Sequence, residues 1–392
     1  MNLEKLLIVR NIIFSYICKL LPMKKNSIYF ISFRGQYNGN PKAISLELKK
    51  DRPNAAFYWE ITEKCHEVIP SYIHKVKPGS LRSIWIRSRC KVVIDNYLGW
   101  SYGYCGARNL KYKILLNQRK RGQINVCTWH GVPLKRIARD EPGRKDRSLH
   151  FYTTANFLTC NSEYMKAIFE RLTDNQIAIV MTGWPRNDLL YEVDEKKKEE
   201  LKRKLGIPLD KKVVLYAPTF REEGAYMSGI CQLKSMNIES LLLTLKRKYE
   251  GNWCFVFRAH DSVFLEIEKM EINVSDVING NIGDDMAEYL YITDVLITDY
   301  SGSLFDFAST KRPCYLFSPD LEHYSKQERG LYLDIKKLPF TTAVTFEQLI
   351  DNIRDFDNEK YEKQLVGFQK DIGSVDDGQA SQRVVEIIKR YM

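Results

Sequence analysis

At 392 residues, with 44% hydrophobic and 28% charged residues, the chain is too long for one ordinary core, suits two domains, and has neither a disordered nor a membrane-spanning composition. Its net charge of +11 is unevenly placed: residues 1–150 carry 29 Lys/Arg against 10 Asp/Glu, and the remainder 31 against 39. A basic half suits nucleic acid, an anionic membrane or a phosphorylated substrate. No zinc-finger spacing, RNP-like aromatic motif or basic-zipper pattern is present, so no nucleic-acid partner is expected.

The first stretch, Leu3–Leu21, is apolar but interrupted by charge, and no small-residue cleavage site follows it. On a helical projection Leu6, Val9, Ile13, Ile17 and Leu20 form one apolar stripe, with Glu4, Asn11, Ser15 and Lys19 on the other side and Lys24 and Lys25 following. Two readings fit this pattern: a helix lying in a membrane interface, or a helix packed on the domain's own core.

Strands and helices then alternate. Strands are predicted at Ser27–Phe33, Ala55–Thr62, Lys91–Asp95, Val126–Trp129, Phe157–Asn161 and Ile177–Thr182, with helices at Lys42–Lys50 and Leu81–Arg89. Tyr97–Gly122, rich in glycine, aromatic and basic residues, reads as a loop or helical excursion near the site, a basic membrane contact, or a solvated insertion. Glu195–Leu205, rich in Lys and Glu, reads as a crossover helix between domains. A second series follows: strands at Lys211–Thr219, Trp253–Arg258, Val295–Thr298 and Cys314–Phe317, and helices at Ile238–Tyr249, Asp285–Thr293, Phe346–Phe356, Lys360–Asp371 and Gln379–Arg390. Repeated β-α units imply parallel sheets covered by helices. The expected fold is α/β and GT-B-like: two Rossmann-like domains facing a cleft, with ligand at strand C-termini.

Nine scattered cysteines, odd in number and without a Cys-x-x-Cys pair, argue against both a disulfide framework and a zinc site. Cys127, Cys160 and Cys254 lie in apolar runs and read as small buried hydrophobes, which fits a reducing cytoplasm. No acidic metal motif stands out, since Asp284-Asp285 looks like a helix start and Asp355-Phe356-Asp357 falls in a charged helical region. Neither a metal nor a cofactor is expected.

Three strand ends carry the candidate chemistry. His130 follows Val126–Trp129 and precedes Gly131, with Lys135 and Arg136 just beyond; His260 ends the second strand-end motif, Arg258-Ala259-His260. The third is Asp299-Tyr300-Ser301-Gly302-Ser303, where a strand runs into a helix N-terminus and small hydroxylated residues suit phosphate. Arginine, lysine and helix dipoles would stabilise a departing phosphate without a metal, and a neutral histidine would serve as general base. Strand-end histidines are often structural; His66, His74, His150 and His323 have no such context.

Six motifs in order resemble the CDP-glycerol:glycerophosphotransferase family of teichoic-acid and capsule enzymes. They are Trp129-His130-Gly131-Val132-Pro133-Leu134-Lys135, Asn161-Ser162-Glu163, Gly183-Trp184-Pro185-Arg186-Asn187-Asp188, Leu215-Tyr216-Ala217-Pro218-Thr219-Phe220-Arg221, Phe257-Arg258-Ala259-His260 and Ile297–Asp306. The resemblance implies transfer of a polyol phosphate, glycerol phosphate first, from a CDP-polyol to a lipid-diphosphate-linked glycan or polyol-phosphate polymer, with release of CMP. It also implies peripheral attachment to an anionic membrane at its cytoplasmic face. Carried over residue by residue, His130 is the general base, and His260 with Arg258 meets the donor pyrophosphate. Thr219, Arg221, Asp299, Ser301 and Ser303 are donor contacts, while Lys135 and Arg186 contact acceptor or phosphate. Asp299 alternatively caps the following helix, and Gly183, Pro185 and Arg186 alternatively shape a turn.

The expected division is a membrane-surface helix at 1–25, an acceptor domain at 26–194, a CDP-polyol domain at 195–370 and a closing helix at 371–392. Where the family pattern has two serines after the tyrosine, this chain has Ser301-Gly302-Ser303, which leaves the polyol open between glycerol, ribitol or another. Without a large additional N-terminal domain, a primase-like or single-addition enzyme is favoured. Rival readings are a sugar-nucleotide glycosyltransferase of the same fold and a non-catalytic membrane scaffold.

Overall fold

A computed structural model describes residues 3–96, 119–142, 155–219, 232–258, 277–327 and 330–392. Most of the Tyr97–Gly122 excursion lies outside the described residues. The chain divides into two compact units: 1–130 with 147–188 and 373–392, and 131–146 with 189–372.

In the first unit, β1 (Lys24–Ile31), β2 (Ala56–Glu60), β3 (Ile73–Val76), β4 (Cys90–Asp95), β5 (Ile124–Cys127), β6 (Phe157–Cys160) and β7 (Ala178–Met181) form a parallel sheet in the order 3-2-1-4-5-6-7. Buried residues run without alternation through β4, β5 and β6, as strands covered on both faces require. One face packs on α2 (Gly39–Asp51), through Ile44 and Leu48. The helices α3 (Leu81–Arg89) and α4 (Glu163–Leu172) start where Ser80 and Ser162 accept the amide hydrogens of Ser83 and Met165.

The last helix, α12 (Ala380–Lys389), does not stand alone. Val384, Val385 and Ile388 join Ile28, Phe30, Trp59 and Leu48 in the core of the first unit. A second departure concerns Gly131–Asp146, which clusters with the second unit, so the chain crosses between units at the His130–Gly131 bond.

The second unit repeats the plan. Its strands β8 (Lys211–Ala217), β9 (Asn252–Phe257), β10 (Val277–Asn279), β11 (Val295–Thr298), β12 (Cys314–Phe317) and β13 (Thr341–Ala343) form a parallel sheet in the order 10-9-8-11-12-13. Around it lie α5 (Glu195–Lys204), α6 (Ile238–Tyr249), α7 (Met286–Ile292), α8 (Ser303–Ala308), α9 (Leu321–Gln327), α10 (Phe346–Arg354) and α11 (Asn358–Asp371). In both sheets the order reverses beside the first strand, between β1 and β4 and between β8 and β11, which is where open α/β sheets bind ligands.

Sequence reading missed β3, β10 and β13. All are sheet edges of three or four residues, too short and too exposed to carry an apolar run. The cysteines behave as expected: Cys127, Cys160 and Cys254 are buried, and burial pushes the Cys160 thiol up to about 12.

The N-terminal helix α1 (Leu3–Leu20) packs on α3 through the face opposite its apolar stripe. Ile8, Asn11, Ser15 and Cys18 are buried, while Ile13, Ile17 and Leu20 are 56%, 53% and 85% exposed, alongside the exposed Leu6 and Val9. The small and polar face meets the protein and the apolar stripe faces outward. No described helix is long and apolar enough to cross a membrane.

Candidate active site

His130 follows the turn that ends β5. Trp129 adopts a left-handed φ of 53° and Gly131 a φ of 146°, a backbone path that throws the His130 ring into an exposed position. The ring stacks on the Trp129 indole at 4.3 Å, and its Nδ1 lies 3.2 Å from the Asn96 carbonyl at the end of β4. A carbonyl only accepts, so in the neutral ring Nδ1 carries the hydrogen and Nε2 the basic lone pair. Arg186 belongs to the same place. Its Nη1 donates to the His130 carbonyl at 2.7 Å, and its guanidinium lies 5.8 Å from the Trp184 ring centre.

The Gly183–Asp188 motif forms a turn clasped by the C-terminal segment. Asp376 accepts from Trp184 N at 2.6 Å and from Asn161 Nδ2 at 2.8 Å, tying two of the six motifs to one carboxylate. Asp188 accepts from the amides of Ala380 and Ser381 at the start of α12. Burial raises the Asp188 carboxyl above its ordinary range, while hydrogen bonds from Ser381 and Ala380 and the charge of Arg383 pull the other way.

In the second unit the predicted donor residues gather where the strand order reverses. Thr219 follows β8 and Asp299 follows β11, its direct neighbour. Asp299 is fully buried, and its Oδ1 accepts from Thr219 N at 2.8 Å and Tyr300 N at 2.6 Å. One carboxylate thus holds both strand ends, and it does not cap the following helix, whose N-cap is Gly302. Asp299→Ala would leave two buried amides without an acceptor, each costing about 1–3 kcal/mol. Thermal unfolding of that variant is expected to fall clearly below wild type, whereas Asp299→Asn, which keeps the acceptor oxygen, is expected to lie between.

Ser301 Oγ accepts from Ser303 N at 3.3 Å and lies 2.9 Å from Ser303 Oγ, so the two hydroxyls sit side by side at the turn. The helix that Ser303 begins has only six residues. Tyr300 points inward, stacked on Tyr324 at 3.9 Å with its hydroxyl on Asp320. Gly302 has a structural reason to lack a side chain: a Cβ there would stand 2.8 Å from the Val132 carbonyl. Gly302→Ala and Gly302→Ser are therefore both expected to lose about 1–3 kcal/mol through overpacking. Equal losses, read by thermal unfolding, would assign the effect to the Cβ and not to a hydroxyl.

Arg258 is placed differently from a simple phosphate ligand. Its Nη1 donates to the carbonyls of Gly280 and Gly283 and its Nη2 to that of Asp284, with the guanidinium 4.5 Å from the Tyr289 ring centre. It shapes the 280–284 loop. Lys135 pairs in an antiparallel bridge with Leu331, flanked by Arg136 N to Gly330 O and Tyr332 N to Leu134 O. His260 and Arg221 lie outside the described residues. Thus His130 and Arg186 come together in one unit, and Thr219, Asp299, Ser301 and Ser303 in the other. Asn40, Asn96 and Asp376, which hold the first group in place, were not found from sequence; only tertiary hydrogen bonds distinguish them from other polar loop residues.

Two doubly wound domains with polar strand ends at the switch points define a GT-B-like scaffold. Solved structures of the wall teichoic acid polymerase TagF share it: a histidine-to-alanine variant superposes with a TM-score of 0.79 at 27% identity, covering 99% of this chain and 97% of that one. A UDP-GlcNAc 2-epimerase from Methanocaldococcus jannaschii, 13% identical with a TM-score of 0.53, shares the fold alone. The profile of the CDP-Glycerol:Poly(glycerophosphate) glycerophosphotransferase family matches residues 13–390, and the chain belongs to that family of transferases. Among its relatives, the teichoic acid glycerol-phosphate transferase of Staphylococcus aureus is 31% identical over 387 residues, covering 93% of each chain. The teichoic acid poly(glycerol phosphate) polymerase of Bacillus spizizenii is 29% identical over 385 residues, covering 94% of this chain and 93% of its own.

Proposed function

We propose that the chain transfers glycerol phosphate from CDP-glycerol to a hydroxyl of a lipid-linked glycan or growing polyol-phosphate polymer, releasing CMP, at the cytoplasmic face of the membrane. The observation that carries the mechanism is the His130 ring, exposed at a strand end with Nδ1 on the Asn96 carbonyl. With the hydrogen fixed on Nδ1, Nε2 takes the proton of the acceptor hydroxyl as its oxygen attacks the β-phosphorus of the donor. The new P–O bond forms as the bond to the bridging oxygen breaks, and CMP departs with that oxygen. Arg186, held on the His130 carbonyl, places a cation beside the base for an acceptor phosphate.

On the donor side, the paired hydroxyls of Ser301 and Ser303 offer hydrogen bonds to the pyrophosphate or the polyol. Thr219 and Asp299 set the turn from which they project, and Arg258 sets the adjoining loop. His260, Arg221 and Lys135 complete the proposed set on the family motifs. Division of labour between the units follows: unit one takes the acceptor, unit two the CDP-polyol. The outward apolar stripe of α1, with exposed Arg10, Lys24 and Lys25 nearby, supports peripheral binding to an anionic bilayer.

The test is CMP release by purified protein given CDP-glycerol or CDP-ribitol, with membrane-lipid extract as acceptor. Release with one donor names the polyol. No release with either donor across several acceptors would sink the reading.

A further inference from the structure

Asn40 is the second residue of α2 and is fully buried. Its side-chain amide makes three bonds to two distant segments. Nδ2 donates to the carbonyls of Thr128 at 3.1 Å and Trp129 at 3.3 Å, and Oδ1 accepts from Arg186 N at 3.1 Å. Arg186 in turn donates to the carbonyl of His130. Three consecutive carbonyls, at 128, 129 and 130, are thereby held by Asn40 directly or by the residue Asn40 orients. These peptide units make the left-handed turn at Trp129 that presents the His130 ring.

Core packing does not require such a device. An apolar residue at the start of α2 would fill the space, but it would leave the carbonyls of Thr128 and Trp129 only the hydroxyls of Thr159 and Thr128 and would take the Asn40 acceptor from the Arg186 amide. A full set of bonds on a turn with positive φ fixes its direction, because that conformation persists only where its surroundings over-determine it. A reacting group displaced by about 1 Å loses on the order of 100-fold in rate, so the accuracy of this turn bears directly on proton transfer at Nε2.

We propose that Asn40 is a positioning residue for the transfer reaction, acting through the 128–130 turn to aim His130. The proposal rests on the reading of His130 as general base. It differs from a stability role in what it does to a double-mutant cycle, since residues acting as one unit are not additive in rate.

The experiment measures kcat and KM for CDP-glycerol in wild type, Asn40→Ala, His130→Ala and the double variant, with thermal unfolding of each. Asn40→Ala is expected to lower kcat about 10- to 100-fold with KM for the donor little changed. In the His130→Ala background the same substitution is expected to change kcat less than about two-fold. An equal loss in both backgrounds, or a loss confined to KM, overturns the proposal. Full activity of His130→Ala overturns the general-base reading and this proposal with it. Should Asn40→Ala not fold, Asn40→Asp carries the cycle. It keeps the acceptor for Arg186 N and sets a carboxylate oxygen against the two carbonyls, and the same two outcomes decide.

Discussion

His130→Ala is expected to lower CMP release from CDP-glycerol by about 100- to 10,000-fold, the range supplied by a positioned general base. The ring is exposed and makes its hydrogen bond to a backbone carbonyl, so thermal unfolding is expected to change little. The loss should fall on kcat, with donor KM near the wild-type value, because the imidazole is assigned to the acceptor hydroxyl and not to the pyrophosphate. A stronger base supplied in solution, such as free imidazole, is expected to restore part of the rate in the Ala variant. If His130→Ala releases CMP at the wild-type rate, the ring is not the base, and the basic group must be sought elsewhere in the family motifs.

The central strands and the site were legible in the sequence for one physical reason. A parallel strand buried on both faces is a continuous apolar run, and its C-terminal end is where the run stops at polar residues. Val295–Thr298 followed by Asp299 and Ser301 reads directly as such an end, and so does Val126–Trp129 followed by His130. The edge strands β3, β10 and β13 carry no such run, and their pairing partners alone reveal them. Asn40, Asn96 and Asp376 were hidden differently. Each is a single polar residue whose role depends on a carbonyl or amide far away in sequence: 88 residues in the case of Asn40 and Thr128. Asp299 was legible as a turn residue but not as the acceptor that joins β8 to β11, which again is a property of the pairing. The first helix shows a further limit. Its stripe was read correctly, but periodicity locates an apolar face without saying whether the protein or something outside covers it.

The second large effect is expected at that stripe. In α1 the residues turned toward the protein are Ile8, Asn11, Ser15 and Cys18, and those turned outward are Leu6, Val9, Ile13, Ile17 and Leu20. Fully burying one isoleucine or leucine gains about 1.5–3 kcal/mol, so a half-exposed one gains about 1 kcal/mol on entering lipid. Ile13 and Ile17 together then account for about 2 kcal/mol, or roughly thirty-fold in vesicle affinity. The Ile13→Glu/Ile17→Glu variant is expected to lose at least that factor in co-sedimentation with vesicles containing anionic lipid. Unfolding should be unchanged, because neither side chain packs on the core. Charge adds a second, separable contribution. Burial first, and then the neighbouring Arg87, hold the Lys19 ammonium below its ordinary range, and Lys120 donates to the Leu21 carbonyl at the end of the same helix. A cluster of like charges of this kind is relieved by anionic headgroups, so raising salt should weaken vesicle binding of the wild type. Binding that survives both the double substitution and high salt would mean that the protein meets the bilayer through a surface other than the α1 stripe. Loss of vesicle binding with CMP release kept on a water-soluble acceptor would separate membrane attachment from the chemistry at His130.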